Sequence, residues 1–314
     1  MNRMKLLMRH MLWNGSAMLL CAVFMVGCKK EETITFTDNT IPLYENVSTL
    51  LIENYVNRVF IDLIGREPTD TELTAEASKL ENASLSMASR RSLVDKLMTD
   101  DVTALDNITY KEAYHNKLYE DLKGRYLNGA SEVDLLESYY LYYFISVQDS
   151  LNGNQLAYEV NRNQALIMRA VIDCKTQLEE GSITIREASR RMCFNQVYDD
   201  INMNTFNYIN ATFDDLFFRF PTEAELNQAF PPIDYNGSGY LFGQLVTSKS
   251  AYISLMVNNA EFNEGAIRWA YLNLLGREAL SGEIFGLLST FNNNDDFKSI
   301  QKAIIITDEY AGWN

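Results

Sequence analysis

The chain has 314 residues, with 42 acidic against 27 basic side chains, a formal charge of −15 at pH 7, and 47% apolar residues. This acidity makes nucleic acid and anionic lipid headgroups poor partners, because both are approached through positive surface. The length is enough to bury a core in one large or two ordinary domains, and the charged and apolar fractions are those of a globular protein.

The first ten residues carry Arg3, Lys5 and Arg9 without an acid, and Met18 to Val26 is an apolar run that stops at Gly27-Cys28. The run is short for a transmembrane helix and follows the basic-then-apolar order of a secretory signal. Met25-Val26-Gly27-Cys28 resembles the lipobox of bacterial lipoprotein signals. That resemblance implies cleavage before Cys28, a diacylglycerol thioether on its sulfur and an acyl chain on the new N-terminus; an ordinary signal peptide or an uncleaved anchor is the rival reading. Lys29-Lys30-Glu31-Glu32, directly after the cysteine, is similar to the start of surface-exported lipoproteins of the Bacteroidota. The address this implies is the outer membrane, on the cell surface, with the periplasmic face as the alternative. Loss of residues 1–27 removes three basic residues and no acid, so the charge falls from −15 to −18. Residues 28–47 are polar, rich in Thr, Glu and Asp and without helical period, and are expected to be a flexible tether.

From Asn54 to Leu73 the chain writes a pattern that returns at Asn207 to Leu226 and more loosely at Gly265 to Ile284. The first two copies share Asn, Tyr, Asn, Phe, Asp, Leu, Arg, Pro, Thr, Glu and Leu in one register; the third keeps Leu274, Gly276, Arg277, Glu278 and Glu283. In the first copy Leu51, Tyr55, Val59, Phe60, Leu63 and Ile64 give one apolar helical face, Gly65 ends the helix, and Pro68 prevents its continuation. Thr69-Asp70-Thr71-Glu72 is a capping box that starts the next helix. A third helix is expected at Leu93, Leu97 and Met98, before Thr99-Asp100.

An insert follows, with helical spacing over Tyr110–Leu127, Ser131–Ser150, Gln155–Glu180 and Ile185–Ile201, broken at Asn128-Gly129, Asn152-Gly153 and Gly181. Tyr139, Tyr140, Tyr142 and Tyr143, with Phe144, put aromatics on nearly every face of one helix. A buried central helix is the expected reading, and an exposed aromatic binding surface is its rival. Cys174 and Cys193 are nearly equidistant from the turn at Glu180-Gly181-Ser182, so they form either a disulfide, contributing roughly 3 kcal/mol, or two buried free thiols.

In the second copy Pro221 and Thr222-Glu223-Ala224-Glu225 repeat the turn, Phe230 to Gly239 reads as a loop, and the third helix is expected at Leu241, Leu245 and Val246. The third copy starts its second helix at Ser281-Gly282-Glu283 and its third at Ile300, Ile304 and Ile305, before Thr307-Asp308-Glu309-Tyr310. No stretch sustains period-two alternation. The expected fold class is therefore all-α, a multi-helix array of three helix–turn–helix–helix modules at 48–104, 205–256 and 257–314, with a helical insert at 105–204.

Arg66, Arg219 and Arg277 each stand four residues after a polar partner, Asp62, Asp215 and Asn273, and six before a glutamate, Glu72, Glu225 and Glu283. A structural clamp across the turn is expected, pairing each arginine with both neighbours; anion binding by three arginines is the rival. Among the other candidates, His115 lies on a helical segment as a packing or surface residue. Carboxylate pairs such as Asp199-Asp200 and Asp214-Asp215 are too common in an acidic chain to be specific. Asn292 to Asp296 offers oxygens for calcium but lacks the spacing and glycine of an EF-hand loop. Neither a metal-ligand cluster nor a nucleophile and base at catalytic spacing occurs, so no metal and no catalytic residue is assigned.

Val59 to Leu73, followed by Leu93-Val94-Asp95-Lys96-Leu97, resembles the opening of the cytochrome-associated domain of unknown function of planctomycete secreted proteins. Tyr271 to Glu278, with Thr307-Asp308-Glu309-Tyr310, is similar to the helical repeat of bacterial secreted proteins related to phycobilisome linkers. Each resemblance covers some 45 residues per copy and brings no established active site. Without a Cys-x-x-Cys-His motif, no haem is implied, and the only covalent groups expected are the lipids on Cys28. These observations together predict a lipid-anchored envelope protein acting as a noncatalytic binding or scaffold component, with an envelope protein or a glycan as partner. The alternative is a hydrolase acting on envelope or imported polysaccharide through paired carboxylates.

Overall fold

The Ser48 hydroxyl accepts the Leu51 N–H and starts α1 (Thr49–Ile64), whose buried face is Ile52, Tyr55, Val56, Val59, Phe60, Leu63 and Ile64. Gly65 then takes φ +73, the left-handed conformation that closes a helix, and α2 (Asp70–Asn82) opens on the Thr69–Glu72 capping box. This computed structural model describes Tyr44 and residues 47–313 except 106 and 236. Cys28 and the signal sequence lie outside the described residues, as does most of the expected tether. The tether's far end does not reach residue 47, because Tyr44 and Val47 already pack against the core.

The helices continue with α3 (Met87–Thr99), α4 (Tyr110–Tyr126), α5 (Glu132–Leu151), α6 (Gln155–Ile172), α7 (Cys174–Glu180), α8 (Ile185–Met192), α9 (Gln196–Asn202), α10 (Thr205–Phe217), α11 (Glu223–Asp234), α12 (Lys249–Asn258), α13 (Ala260–Leu275), α14 (Ser281–Asn294), α15 (Phe297–Ile305) and α16 (Asp308–Ala311). The only strands among the described residues form two short antiparallel hairpins, β1 (Thr103–Leu105) with β2 (Ile108–Thr109), and β3 (Gly239–Leu241) with β4 (Gln244–Val246). Helix makes up about 75% of the described residues, and the fold is all-α, as expected.

Several expected boundaries move. The segment 155–180 breaks at Asp173 into α6 and α7, and 185–201 breaks at Cys193 into α8 and α9, where Asn195 caps α9 by accepting from Tyr198 N–H. Phe230 to Asp234 is not loop but the last turn of α11, with Pro231 and Pro232 inside it. Leu241, Leu245 and Val246 lie in the β3–β4 hairpin, turned by Phe242 and Gly243 at φ +51 and +76. The helix they were expected to form is α12, eleven residues further on. One spacing then recurs on the buried faces of three helices: Leu93, Val94, Leu97 and Met98 on α3, Tyr252, Ile253, Met256 and Val257 on α12, and Ile300, Gln301, Ile304 and Ile305 on α15.

The core runs through α1, α4, α10 and α13, with α16 returning onto α1 and α15 onto α3. Near this return the two ends of the described chain are locked together. Tyr44 Oη donates to Asp308 Oδ1 at 2.6 Å, and the fully buried Arg90 reaches both, at 2.9 Å to Tyr44 Oη and 2.8 Å to Asp308. The guanidinium also lies 5.5 Å from the ring centre of Tyr44 and 5.0 Å from that of Trp313, so a buried charge is covered by one carboxylate, one phenol and two aromatic faces.

Helices α10 and α13 cross at backbone contact, because a Cβ on Gly265 would fall 2.0 Å from the Leu216 carbonyl oxygen. Gly265→Ala is therefore expected to push the crossing apart and cost about 2 kcal/mol or more in a denaturant melt. In Gly124→Ala the new methyl meets nothing within 4 Å, and the change is expected to be neutral or to stabilise by about 0.5 kcal/mol. Equal effects at the two positions would refute the close crossing.

Candidate functional site

At the three turns the arginines do what was expected of them in the forward direction and not in the backward one. Arg66 donates through both terminal nitrogens to Glu72 at 2.8 and 2.7 Å, Arg219 to Glu225 at 2.9 and 2.8 Å, and Arg277 to Glu283 at 2.9 and 2.7 Å. Each glutamate also accepts the N–H that opens its helix, from Thr69, Thr222 and Leu280, at 2.7 Å. A further group, legible only in the structure, joins each fork at the N-terminus of a later helix. Glu261 on α13 takes Arg219 at 2.5 and 2.9 Å, Glu309 on α16 takes Arg277 at 2.5 and 2.7 Å, and Tyr110 on α4 donates to Glu72 at 2.6 Å. Burial raises the Glu72 pKa, but the bonds from Arg66, Tyr110 and Thr69 outweigh it and hold the carboxyl at about 2. Arg219, acting with Thr222, brings Glu225 to about 2.

Asp62 and Asp215 do not belong to the clamp. The residue before each arginine, Gly65, Phe218 or Gly276, is left-handed, so the arginine has left the helix and no longer stands one turn above residue i−4. Asp62 instead accepts the Tyr310 hydroxyl at 2.8 Å with Arg58 3.6 Å away, and Asp215 accepts the Tyr198 hydroxyl at 2.8 Å. Burial raises Asp62 and lifts Asp215 to about 6. All three guanidiniums are occupied by carboxylates, which leaves the anion-binding reading without a free group.

Cys174 and Cys193 are free, buried thiols, so the disulfide expected as one reading is not formed. Cys174 donates to the Ala170 carbonyl at 3.2 Å on the α6–α7 side, while Cys193 follows α8 in a shell that includes Tyr198 and Arg125. Burial raises both, Cys174 to about 11, so neither is an activated nucleophile. His115 is a packing residue. It is buried, its Nδ1 lies 2.7 Å from the Lys111 carbonyl oxygen, and burial with nearby Lys298 lowers it to about 4. In the Asn292–Asp296 stretch, Asp295 is held by Arg186 and Thr184, and Asp296 caps α15. Among the described residues no three acidic, His or Cys side chains gather as a metal site.

A polar cavity of about 520 Å³ lies among α1, α4, α13 and α15, lined by Asp62, Lys117, Glu120, Asp121, Asn273 and Gln301 over a wall that includes Trp269 and Leu272. Its acids already have partners. Lys117 pairs with Asp121, Lys123 with Glu120 at 2.9 Å, and Tyr310 with Asp62. Burial raises Asp121 against the pull of Lys117.

The insert carries the larger anomaly. Helices α5 and α6 lie along each other as a hairpin whose tip is Asn152-Gly153-Asn154. The first seam of α5 is Leu135, Tyr139, Tyr142, Ser146 and Asp149, spaced 4-3-4-3, and it faces inward. Leu135 and Ser146 are buried, Tyr142 donates to Gln196 at 3.0 Å, and Asp149 accepts from Asn161 at 2.8 Å. The second seam, Val133, Glu137, Tyr140, Phe144, Val147 and Leu151, has the same 3-4 spacing on the opposite side and is exposed, Phe144 by 60% and Leu151 by 76%. Leu141 and Ile145 widen it, and Leu156, Val160 and Leu166 extend apolar exposure onto α6. A groove of about 410 Å³ between the helices is lined by Tyr143, Val147, Tyr158, Arg162 and Leu166.

The expectation of a buried central helix is thus overturned by an open face, and the rival reading of an exposed aromatic surface holds for two tyrosines of four. Tyr140 and Tyr143 are exposed, whereas Tyr139 and Tyr142 belong to the inner side. Phe144, read with the tyrosines, is exposed too, whereas Val147 and Leu151 were missed as surface residues, although two interleaved heptad seams in one helix were there to be read. No described helix is long and apolar enough to cross a membrane.

No protein-family model, curated protein or solved structure matches this chain.

Two consequences can be measured. Glu72→Ala removes the acceptor for Arg66, Tyr110 and the Thr69 cap together and is expected to cost about 2 kcal/mol, more than Glu283→Ala at the more exposed third fork. His115 is the second. The unfolded state takes up its proton near pH 6.5 and the folded state only near 4, so stability from this residue is lost as the pH falls through that window. Asp215 works in the opposite sense, so the quantity to follow is the difference between wild type and His115→Gln. It should shift against wild type by up to about 3 kcal/mol between pH 7 and pH 4, at 1.36 kcal/mol per unit; a flat difference would refute the buried neutral imidazole.

Proposed function

We propose that the chain is a lipid-anchored component of the bacterial outer membrane, facing the cell surface, that acts as a noncatalytic binding or scaffold protein and offers the α5–α6 hairpin to another polypeptide. The observation that carries this is the unpartnered seam of α5. A helix that is apolar on both faces requires cover on both, and this one has cover on one. Charge depletion and aromatic enrichment over Tyr140 to Phe144 are the composition of an interface centre. The lipobox resemblance at Cys28 supports the anchor, and the shared bond pattern of the three forks supports reading 48–104, 205–256 and 257–314 as copies of one structural unit.

The hydrolase reading draws on the cavity at Asp62 and Asp121, two carboxylates whose pKa is raised by burial. It is the weaker reading because each acid already holds a phenol or an ammonium, leaving no free acid and base pair.

A pull-down from detergent-solubilised envelopes compares the intact chain with Cys28→Ala and with Phe144→Glu, and protein and glycan are identified together. A polypeptide, a differently tagged copy of the chain included, is expected in stoichiometric amount with the intact chain and is expected to be lost with Phe144→Glu, while Cys28→Ala leaves the membrane fraction. Recovery of glycan alone, unaffected by Phe144→Glu but lost with Asp121→Asn, would falsify the scaffold reading in favour of the hydrolase.

A further inference from the structure

We infer that the occupant of the open face is the same hairpin of a second copy, the two pairing antiparallel about a two-fold axis to complete a four-helix bundle. This rests on the docking role proposed above and goes beyond it by naming the partner. The outer seam of α5 alternates three- and four-residue steps over Tyr140, Phe144, Val147 and Leu151, the spacing that seats knobs of one helix in holes of another, and a lipid surface imposes no such spacing. The same seam on a second copy is complementary to it, and two-fold pairing is the commonest way for one chain to cover its own apolar surface.

Charge points the same way. Two strongly acidic chains repel, yet no charged residue interrupts this seam from Tyr140 to Leu151, so copies can meet on it without opposing like charges. Antiparallel pairing also sets Glu137 of each copy against the uncharged tip of the other, Leu151 to Asn154, and not against its own equivalent. The size is adequate. A helix of about 20 residues is roughly 30 Å long and two side by side are roughly 20 Å wide, a footprint of about 600 Å² that approaches the ~800 Å² per partner of a stable interface. A membrane surface fits less well, because the outer seam of α5 from Tyr140 to Leu151 contains no Lys or Arg to meet headgroups, and Arg162 of α6 lies in the groove between the two helices.

The test is photo-crosslinking in intact cells of the full chain carrying p-benzoylphenylalanine in place of Phe144 or of Leu151, with two copies under different tags. Phe285, exposed by 80% on α14, serves as the control position. The expected result is an adduct that carries both tags from the hairpin positions, none from Phe285, and at least a tenfold loss of adduct when Tyr140→Glu and Val147→Glu are combined. Resistance to trypsin comparable to that of the parent chain shows that the variant is folded; if it is not, Leu156→Glu on the second helix of the hairpin takes its place. An adduct with a different protein overturns pairing between copies and leaves the scaffold reading standing. An adduct with lipid, or none with any protein from either position, overturns both.

Discussion

Everything else in this chain is hung on the arginine–glutamate fork that spans the turn between two antiparallel helices. A helix stopped by a left-handed residue leaves carbonyls open at its end, and the next leaves N–H groups open at its start. One glutamate at the third position of the new helix closes its own N-terminus and accepts the arginine that follows the old one, so a single carboxylate fixes both ends of the turn. Glu261 and Glu309 then draw the start of α13 and α16 to the same guanidiniums, placing acids where a helix N-terminus favours them. Three elements meet at each fork, and their apolar faces are turned toward one another before any long-range packing is made.

The forks differ in ways that follow from local chemistry. The second has Phe218 where the others have glycine, held at φ +57, a conformation that a residue with a Cβ adopts at a cost. The Arg125 guanidinium lies 4.4 Å from its ring centre while the same arginine bonds the Asp215 carbonyl, so the strained residue is pinned from α4. The first fork lacks an acid at the second position of the following helix, where Lys111 stands, and the Tyr110 hydroxyl serves instead. The third lacks a side-chain oxygen at residue 280, and Glu283 binds the Leu280 N–H without a return bond.

What could be read in the sequence divides along the same line. Gly65, Pro68 and the Thr69–Glu72 box act within a few residues of one another, so their spacing states the turn outright. Asp62 and Asp215 were misread because an i,i+4 rule was carried across a left-handed residue, where the helix no longer exists; their partners, Tyr310 and Tyr198, are fixed only by tertiary packing. Leu241, Leu245 and Val246 gave a helical-looking apolar set, but Phe242-Gly243 is a hairpin turn, and the spacing of Leu93, Val94, Leu97 and Met98 reappears in α12. The four tyrosines were judged as a composition and not as two seams, which is why burial was expected for both faces of α5.

The remaining asymmetry concerns where the chain leaves surface unsatisfied. Its polar functional groups are largely paired internally: the fork arginines with glutamates, the buried Arg90 with Asp308, the cavity acids with Lys117, Lys123 and Tyr310. Its apolar surface is not. The base of the α5–α6 hairpin is anchored to the body through contacts of α5 with α9 and of α6 with α8, while the outer seam is left largely exposed, with Val147 and Leu151 bordering the groove against α6. A body braced by short-range forks holds such a hairpin in a fixed direction, so a partner that covers it need not supply the entropy of ordering it. For the scaffold role proposed here, that preorganisation is the physical requirement, and a chemistry of exposed acids and bases is not.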